Sequence, residues 1–402
     1  MEYMWKLLKS IPGRLFPITG ILSFLRSYDG SESMYYYVES LDIDGSDSDL
    51  SVYCNTDGKE IICKKCYDIE GEIYIYDVLK KVPGIVRVIE EGVFFDEEGH
   101  EVTPGDGAIF LERYEGDLRE LLYKNIMKNH GEGNLGVPFI LEDALPQMVR
   151  LLTALDIMHS LNICHNDIKP ENIFHDSDGN MYIGDFDISI PYSEDEMELF
   201  LSAKKEYEQG VNRNYLRDLS NFHLPGTYIY SPPENLVLDK YNKQRAPKYP
   251  ISDIWGLGCV FFEMLTSRNF NTNTFHVTND GKGLMWKDIA FDHTPLGLLK
   301  NVTKEMNREG FSIYNEDWRS FVPKEDTYPA TISVCAFQAH AVEGKTISEE
   351  TIQHLQSLFK GMLDPNFLTR LSAKECLENP LFKDHLHISE AMREEYSSMQ
   401  KI

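Results

Sequence analysis

One short stretch of the chain, residues 160–187, limits most strongly what this sequence can fold into. It contains the run His-Asn-Asp at 165–167, with Lys169 two residues later and Asn172 three residues beyond the lysine. A hairpin-like sequence follows and ends in Asp-Phe-Asp at 185–187. An acidic turn between a helix and a hairpin would not need a lysine and an amide at these offsets, so the pattern indicates a chemical site.

Moving a phosphoryl group needs this set of side chains. Asp167 can orient an attacking hydroxyl and accept its proton, and Lys169 can stabilise the charge that develops on the phosphoryl oxygens. The amide oxygen of Asn172 and the carboxylate of Asp185 are ligands suited to magnesium bound to a triphosphate. The residues therefore predict phosphoryl transfer, with Asp167 and Lys169 as catalytic residues and Asn172 and Asp185 as metal ligands.

The stretch resembles the catalytic centre of the eukaryotic-type protein kinases, which carry His-Arg-Asp and Asp-Phe-Gly in these two places. Further similarities lie downstream. Residues 226–234 resemble the end of the family's activation segment, and residues 252–258 resemble its D-x-W-x-x-G motif. Arg370 stands where the family has a buried arginine that pairs with Glu234. By the same resemblance, Asp253 holds the backbone of the catalytic loop through hydrogen bonds.

The resemblance covers about residues 34–385 and implies an α+β fold with two lobes, a small β-rich N-terminal lobe and a larger helical C-terminal lobe. The expected parts are an apolar and basic extension at 1–33, the N-terminal lobe at 34–114, the C-terminal lobe at 115–388 with a long activation segment at 185–234, and a polar tail at 389–402. Three interpretations of the extension stay open: packing on the kinase body, lying on a membrane surface, and serving as a targeting segment.

Hydrophobic patterning predicts the elements within these parts. Apolar and alternating runs predict strands at 34–41, 50–54, 60–66, 85–90 and 107–111. Helical spacing predicts helices at 68–82, 117–128, 141–161, 253–265, 352–362 and 372–384. Within the activation segment, Ser193 and Glu196 resemble a capping box, and helix-forming residues at 199–208 predict an inserted helix.

The resemblance also implies how the N-terminal lobe binds a nucleotide. Lys64 ends a strand that is similar to the family's V-A-I-K, so it is the expected phosphate-binding lysine, with Lys65 as the alternative. A glutamate at the start of the next helix is expected to pair with this lysine. Glu72 fits that position, and Glu70 is the alternative.

Other expected nucleotide contacts depart further from the family. Gly45 is the single glycine at the tip of the first hairpin, where the family has three, and four aspartates surround it. Glu112 and Tyr114 fall in the hinge, which meets adenine through backbone hydrogen bonds. Asp117 follows them and either accepts hydrogen bonds from the ribose hydroxyls or caps the next helix.

These features predict an ATP-dependent serine/threonine protein kinase that uses ATP and Mg²⁺ and acts on hydroxyl groups of protein substrates. Thr227 together with Lys169 is the pattern of the serine/threonine kinases. A pseudokinase that acts as a binding or scaffolding module is the first alternative. The acidic first hairpin, Asn166 in place of an arginine and Asp187 in place of a glycine support it. A small-molecule kinase is the second alternative.

Charge and cysteine content limit partners and compartment. The formal net charge of −26 argues against nucleic-acid binding, because a phosphate backbone needs a cationic surface. The seven cysteines are scattered, and Cys63 and Cys66 form a C-x-x-C without a second pair, so we expect reduced cysteines in an intracellular protein, cytoplasmic or nuclear. No apolar run predicts a transmembrane helix, although residues 1–27 could touch a membrane surface. The oligomeric state is not predicted.

Overall fold

The computed structural model describes residues 22–27, 32–41, 50–55, 57–66, 69–95, 107–131, 138–211, 221–222, 227, 230–232, 245–246, 249–266, 276–277, 284–285, 347–364 and 367–401. They fall into two compact units. The first lies within residues 1–80 and 86–114, and the second within 81–85 and 115–402. The functional division into an extension, two lobes and a tail stays a prediction.

The first unit is a β-sheet with one helix. Its described strands are β1 (Leu22–Ser27), β2 (Glu32–Leu41), β3 (Leu50–Asn55), β4 (Glu60–Cys66), β5 (Val88–Phe95) and β6 (Gly107–Glu112), and its helix is α1 (Ile69–Leu79). The strands pair antiparallel in the order β1-β2-β3-β4-β6-β5, and β5 pairs with β1 to close a barrel.

Alternation of apolar side chains builds the inside of this sheet. The buried cluster consists of Tyr35, Tyr53, Ile61, Cys63 and Phe110. The rings of Tyr35 and Phe110 stack with their centroids 4.2 Å apart, which fixes β2 against β6.

The strand predictions are largely confirmed, with two differences. β5 begins at Val88 instead of residue 85, because Ile85 belongs to the second unit, where it forms an isolated parallel bridge with Ile183. β1 lies inside the range predicted as an extension, where no strand was predicted. Residues 1–21, on which the packing, membrane and targeting interpretations rest, lie outside the described residues.

The second unit is helical. Its described helices are α2 (Leu118–Gly131), α3 (Leu141–Ser160), α4 (Glu194–Glu208), α5 (Pro250–Thr266), α6 (Glu349–Met362), α7 (Ala373–Leu377) and α8 (Leu386–Met399). Within the described residues, 3₁₀ turns cover Pro170–Asn172 and Pro380–His385. No helix in the described ranges is long and apolar enough to cross a bilayer.

Short strands connect these helices. They are β7 (Gly116–Asp117), β8 (Ile163–Cys164), β9 (Ile173–His175), β10 (Met181–Ile183), β11 (Ile190–Pro191), β12 (Asn221–Phe222), β13 (Arg245–Ala246), β14 (His276–Val277) and β15 (Leu284–Met285). β9 pairs with both β7 and β10, and β8 pairs with β11. The hairpin β9–β10 joins the loop at 165–172 to Asp185.

Two helices form the core of the second unit. α3 buries one apolar face, which includes Met148, Leu151 and Leu155, and α5 is buried along nearly its whole length. Gly256 allows α5 to approach the loop at 165–172 closely. A Cβ at this position would lie 2.9 Å from the carbonyl oxygen of Ile168, so a larger side chain would displace the loop.

The ranges predicted as the activation segment and the tail both contain helical residues. α4 begins after Ser193, whose hydroxyl accepts the Glu196 N–H at 3.2 Å while the Glu196 carboxylate accepts the Ser193 N–H at 2.8 Å. This confirms the predicted capping box and inserted helix. The last helix predicted from sequence is 372–384, whereas α8 continues into the range predicted as a polar tail, with Ser389 and Met392 buried.

Candidate active site

One buried carboxylate holds the loop that carries the motif. Asp253, in the first turn of α5, is 2% exposed and accepts the backbone N–H groups of His165 and Asn166, each at 2.8 Å. Its Oδ2 also lies 2.9 Å from Nε2 of His159. Asn166 takes a φ of +68°, a region that asparagine enters more easily than most residues. The expected role of Asp253 in holding this loop is confirmed.

His165 connects the loop to the strand that precedes Asp185. Its buried ring accepts the Asp167 N–H at Nδ1, at 3.3 Å, and its Nε2 lies 3.0 Å from the carbonyl oxygen of Gly184. Since Nδ1 accepts, the ring hydrogen lies on Nε2 and is donated to Gly184. The ring also packs on Phe186, with centroids 5.1 Å apart.

Three donors surround the carboxylate of Asp167. The backbone N–H of Thr227 donates to Oδ1 at 2.7 Å, and the ammonium of Lys169 lies 2.6 Å from Oδ2. Nδ2 of Asn172 donates to Oδ2 at 3.2 Å and to the Asp167 carbonyl at 2.9 Å. Lys169 also donates to the Thr227 hydroxyl at 3.1 Å. The structure therefore brings Asp167, Lys169 and Asn172 into one hydrogen-bonded group, with Thr227 as a fourth member.

These contacts set the ionisation of Asp167. Burial by itself would raise the pKa of this carboxyl group, but the Lys169 ammonium and the hydrogen bonds from Lys169 and Thr227 outweigh it. The pKa of Asp167 is therefore lowered below its ordinary value of 3.8. The carboxylate is ionised at neutral pH and available as a proton acceptor.

Replacing Lys169 with methionine should shift the pH dependence of any activity that uses Asp167. Loss of the ammonium removes the main factor that lowers the pKa, while burial, which raises it, remains. The acid limb of the residual rate should therefore move to higher pH, which a rate profile from about pH 4 to 8 would reveal. Lys169→Arg keeps the charge, and Lys205→Met changes an exposed lysine on α4; both should keep the wild-type limb. An unchanged limb in Lys169→Met would contradict the coupling.

Asn172 and Asp185 offer oxygen atoms that suit a divalent cation. Asn172 is buried and uses Nδ2 to bind Asp167, which leaves Oδ1 as its ligand atom. Its carbonyl oxygen accepts the N–H of Gly184 at 2.9 Å, so the backbone next to Asp185 is fixed to the loop. Asp185 has a φ of +64°, and Asp187 is exposed. An amide oxygen and a carboxylate are ligands that magnesium prefers, so the donor set fits this metal.

In the first unit, a buried ion pair joins β4 to α1. Nζ of Lys64 lies 2.8 Å from Oε1 of Glu72, and the two side chains are only 5% and 6% exposed. The predicted pairing is therefore confirmed, with Glu72 as the partner. The side chains of the two alternatives, Lys65 and Glu70, lie outside the described residues.

The other residues predicted to touch a nucleotide in the first unit have local partners or are not described. Gly45 lies outside the described residues. The Glu112 carboxylate forms an ion pair with Lys59 at 2.5 Å on the surface. The Tyr114 hydroxyl accepts the Arg87 N–H at 3.2 Å. Their expected contacts with adenine stay predictions, because those contacts would use backbone groups.

Asp117 caps α2. Its Oδ1 accepts the Glu120 N–H at 2.9 Å, the contact that an N-terminal cap makes with the third residue of a helix. Burial raises the pKa of this carboxyl group. Of the two open interpretations, the structure contains the cap, and the ribose contact stays a prediction.

The family model for the protein kinase domain matches residues 55–382, which is most of the chain. The chain belongs to the protein kinase family. The predicted α+β kinase fold, with a β-sheet N-terminal region and a helical C-terminal region, is thereby confirmed.

Curated relatives of this kinase include three from different organisms. The chain is 26% identical to the MAP kinase kinase kinase SSK2 of Saccharomyces cerevisiae over 55% of its own length and 13% of that protein's. It is 32% identical to mitogen-activated protein kinase 15 of Caenorhabditis elegans over 48% of its length and 37% of the relative's. It is 30% identical to cyclin-dependent kinase C-2 of Arabidopsis thaliana over 33% of its own length and 21% of the relative's. The chain therefore spans well under half of each relative.

Among the described residues, a partly buried polar cluster lies outside what the sequence predicted. The guanidinium of Arg119, on α2, donates to Glu171 at 2.9 Å and also contacts Glu263 and the Tyr230 hydroxyl. Tyr230 in turn donates to Glu263 at 2.7 Å. Burial would lower the pKa of Arg119, but its three partners raise it instead. No local sequence signal links these positions, since they come from four separate segments.

Glu234, the predicted partner of Arg370, lies outside the described residues. Arg370 itself is fully buried, as the resemblance implies. Its guanidinium donates to the carbonyl oxygens of Asp364 and Ile251, at 2.9 and 3.2 Å, and stacks 5.1 Å from the Trp255 ring. These bonds connect the end of α6 to the start of α5.

Proposed function

We propose that this kinase transfers the γ-phosphoryl group of ATP to serine or threonine hydroxyls of proteins. The observation that carries the proposal is the environment of Asp167, whose carboxylate is held by Lys169, Asn172 and the Thr227 N–H and kept ionised by a lowered pKa. A proton acceptor held this firmly, with a cation beside it, suits the transfer of a phosphoryl group to a hydroxyl.

The two catalytic residues divide the work. Asp167 orients the substrate hydroxyl and accepts its proton as the oxygen attacks the γ-phosphorus. Lys169, already 2.6 Å from the Asp167 carboxylate, neutralises charge that develops on the transferred phosphoryl oxygens. The Lys169–Thr227 hydrogen bond at 3.1 Å supports specificity for serine and threonine, because this pair is the pattern of kinases that act on them.

Asn172 and Asp185 would hold magnesium through the amide Oδ1 and a carboxylate oxygen. When bound, the metal supplies positive charge that offsets the charge of the triphosphate. The chain prepares this site through the Gly184–Asn172 backbone bond and the His165 ring, which together fix the backbone before Asp185.

Lys64, held by Glu72, would bind the α- and β-phosphates. A buried lysine keeps its charge only when an acidic partner compensates for lost hydration, and Glu72 provides that partner at 2.8 Å. Gly45, the backbone of Glu112 and Tyr114, and Asp117 complete the proposed nucleotide contacts.

A pseudokinase is the second candidate function. The observation that favours it is the replacement of the phosphate-binding glycines by a segment with four aspartates around Gly45, which would repel a triphosphate. A small-molecule kinase is a third candidate, and Lys169 and Arg370 argue against it.

Incubation of the whole chain with labelled magnesium-ATP and a basic protein separates these functions. The proposed function predicts label on serine and threonine of the protein, which hydrolysis and amino-acid separation would identify. Nucleotide-induced thermal stabilisation without any transfer would support the pseudokinase. Label found on a metabolite, and on no protein, would support the small-molecule kinase. Both of the last two results would refute the proposal.

A further inference from the structure

Helix α8 lies outside the part of the chain that matches the protein kinase domain. The match ends at residue 382, and α8 runs from Leu386 to Met399. It is nevertheless packed: Ser389 and Met392 are buried, whereas Glu394 and Glu395 are exposed. The chain therefore adds a helix with one covered face to the kinase domain.

The covered face of α8 contacts a short piece of chain, Lys81–Ile85, which we name the anchor segment. A Cβ on Gly84 would lie 2.9 Å from Cβ of Ala154 on α3 and 3.0 Å from Cε of Met392, so this backbone is enclosed between the two helices. Gly84 has a φ of +81°, which further restricts the position to glycine. Met392 thus forms one wall of the space that holds the anchor segment.

Polar contacts fix α8 at its carboxyl-terminal half. Nζ of Lys81 donates to the carbonyl oxygen of Met399 at 2.8 Å, a favourable place for a cation because helix carbonyls carry partial negative charge there. The guanidinium of Arg393 lies 2.5 Å from the Asp156 carboxylate on α3. One of these contacts connects α8 to the anchor segment and the other connects it to α3.

The anchor segment in turn holds the strand that leads to Asp185. The Gly84 carbonyl accepts the Ile183 N–H at 2.8 Å, and Ile85 forms a parallel bridge with Ile183. The next residue, Gly184, donates its N–H to the Asn172 carbonyl. Two consecutive backbone hydrogen bonds therefore fix the chain directly before Asp185, and the first of them comes from the anchor segment.

We propose that Met392 and Arg393 of α8 are positioning residues for Asp185, which they reach through the anchor segment. When α8 is docked, Gly84 presents its carbonyl to Ile183 and the backbone before Asp185 has one position. When α8 is undocked, the wall formed by Met392 is lost and this backbone bond opens more often. The effect on phosphoryl transfer rests on the proposed function, whereas the effect on the backbone does not.

Amide hydrogen exchange of the whole chain tests the backbone effect. The double variant Met392→Ser/Arg393→Ala should speed exchange of the Ile183 amide by at least about tenfold, with the amides of α6 unchanged. The matched control is Glu394→Ser/Glu395→Ala, which alters the exposed side of the same helix and should exchange as the wild type does. Met392→Leu, which keeps an apolar side chain at this position and leaves Arg393 intact, should keep the wild-type protection.

Two exchange results would overturn the inference. In one, the amides of α8 lose protection in the double variant while Ile183 keeps it, which would mean that α8 does not hold the anchor segment. In the other, α8 stays fully protected, which would mean that these side chains do not dock it. If the double variant does not fold, Lys81→Ala, which removes the hydrogen bond to the Met399 carbonyl, is measured in the same way.

Magnesium dependence separates positioning from simple stability. In the double variant, the magnesium concentration for half-maximal phosphate transfer should rise by at least about threefold, whereas Met392→Leu should keep the wild-type value. A lower total rate with an unchanged magnesium requirement would indicate a merely structural helix and refute the inference. A wild-type chain that transfers no phosphate would refute the proposed function instead, and the exchange result would then decide the role of α8 alone.

Discussion

Replacing Asp167 with asparagine is expected to reduce phosphate transfer from magnesium-ATP by at least about a hundredfold. The amide has nearly the same shape, and its oxygen can still accept the Thr227 N–H that Oδ1 accepts at 2.7 Å. It cannot accept a proton from the attacking hydroxyl, and it no longer carries the charge that holds Lys169. The loss should therefore appear in the rate, while the fold is retained.

The measurement is label transferred to a basic protein and to the kinase itself, with the melting temperature recorded for each variant. Asp178→Asn is the matched control, because it makes the same change at an exposed acid in the turn between β9 and β10. It should transfer label at the wild-type rate. Full activity in Asp167→Asn would exclude Asp167 as the proton acceptor, and no label in any folded variant would favour a binding module.

The catalytic loop could be predicted from sequence because its members are near neighbours in the chain. Asp167, Lys169 and Asn172 lie within six residues, so their spacing alone nearly determines that their side chains can meet. Predicting the Lys64–Glu72 ion pair required more than residue spacing. A strand and the start of a helix had to be recognised, and the resemblance to the family then selected the glutamate that the structure places 2.8 Å away.

Contacts between distant segments could not be predicted in this way. The Arg119 cluster joins α2, the catalytic loop, Tyr230 and α5, and nothing in the local sequence of any of these segments marks the others. Such contacts depend on how helices pack, which hydrophobic periodicity does not specify. The residues that sequence reasoning missed are therefore polar ones with a long separation along the chain.

Helix α8 was missed for a related reason. Residues 389–402 contain few apolar side chains, so composition indicated a polar tail. A helix needs only a narrow stripe to dock, and Ser389, Met392 and Arg393 provide it at helical spacing. β1 was missed because the prolines and glycines before it suggested irregular structure, although Leu22–Ser27 itself contains neither residue.

Replacing Asp253 with asparagine should cost stability and activity together. The carboxylate accepts the N–H groups of His165 and Asn166 at 2.8 Å each and also contacts His159. An amide can replace only one of its oxygens as an acceptor. If that oxygen binds Asn166, the NH₂ group faces the His165 N–H, a buried donor that water cannot reach. An unsatisfied buried donor costs roughly 2 kcal/mol, so the free energy of unfolding should fall by about that amount.

The same change should reduce phosphate transfer, because the Asn166 and His165 backbone immediately precedes Asp167. A displacement of about 1 Å at a reacting group can lower a rate on the order of a hundredfold, so a loss of tenfold to a hundredfold is expected. Urea denaturation and label transfer measure the two effects. Asp143→Asn, at an exposed acid in the first turn of α3, should change the free energy of unfolding by less than about 0.5 kcal/mol.

Measuring both the free energy of unfolding and the rate of phosphate transfer shows whether Asp253 holds the catalytic loop in place. Lowered stability with an unchanged rate per folded molecule would mean that the loop keeps its shape through other contacts, such as the His165–Gly184 hydrogen bond. A lowered rate at unchanged stability would mean that the amide finds partners for both donors by moving the loop. Only the combined loss fits a carboxylate that holds the catalytic loop in place by accepting two backbone hydrogen bonds where no water can substitute for it.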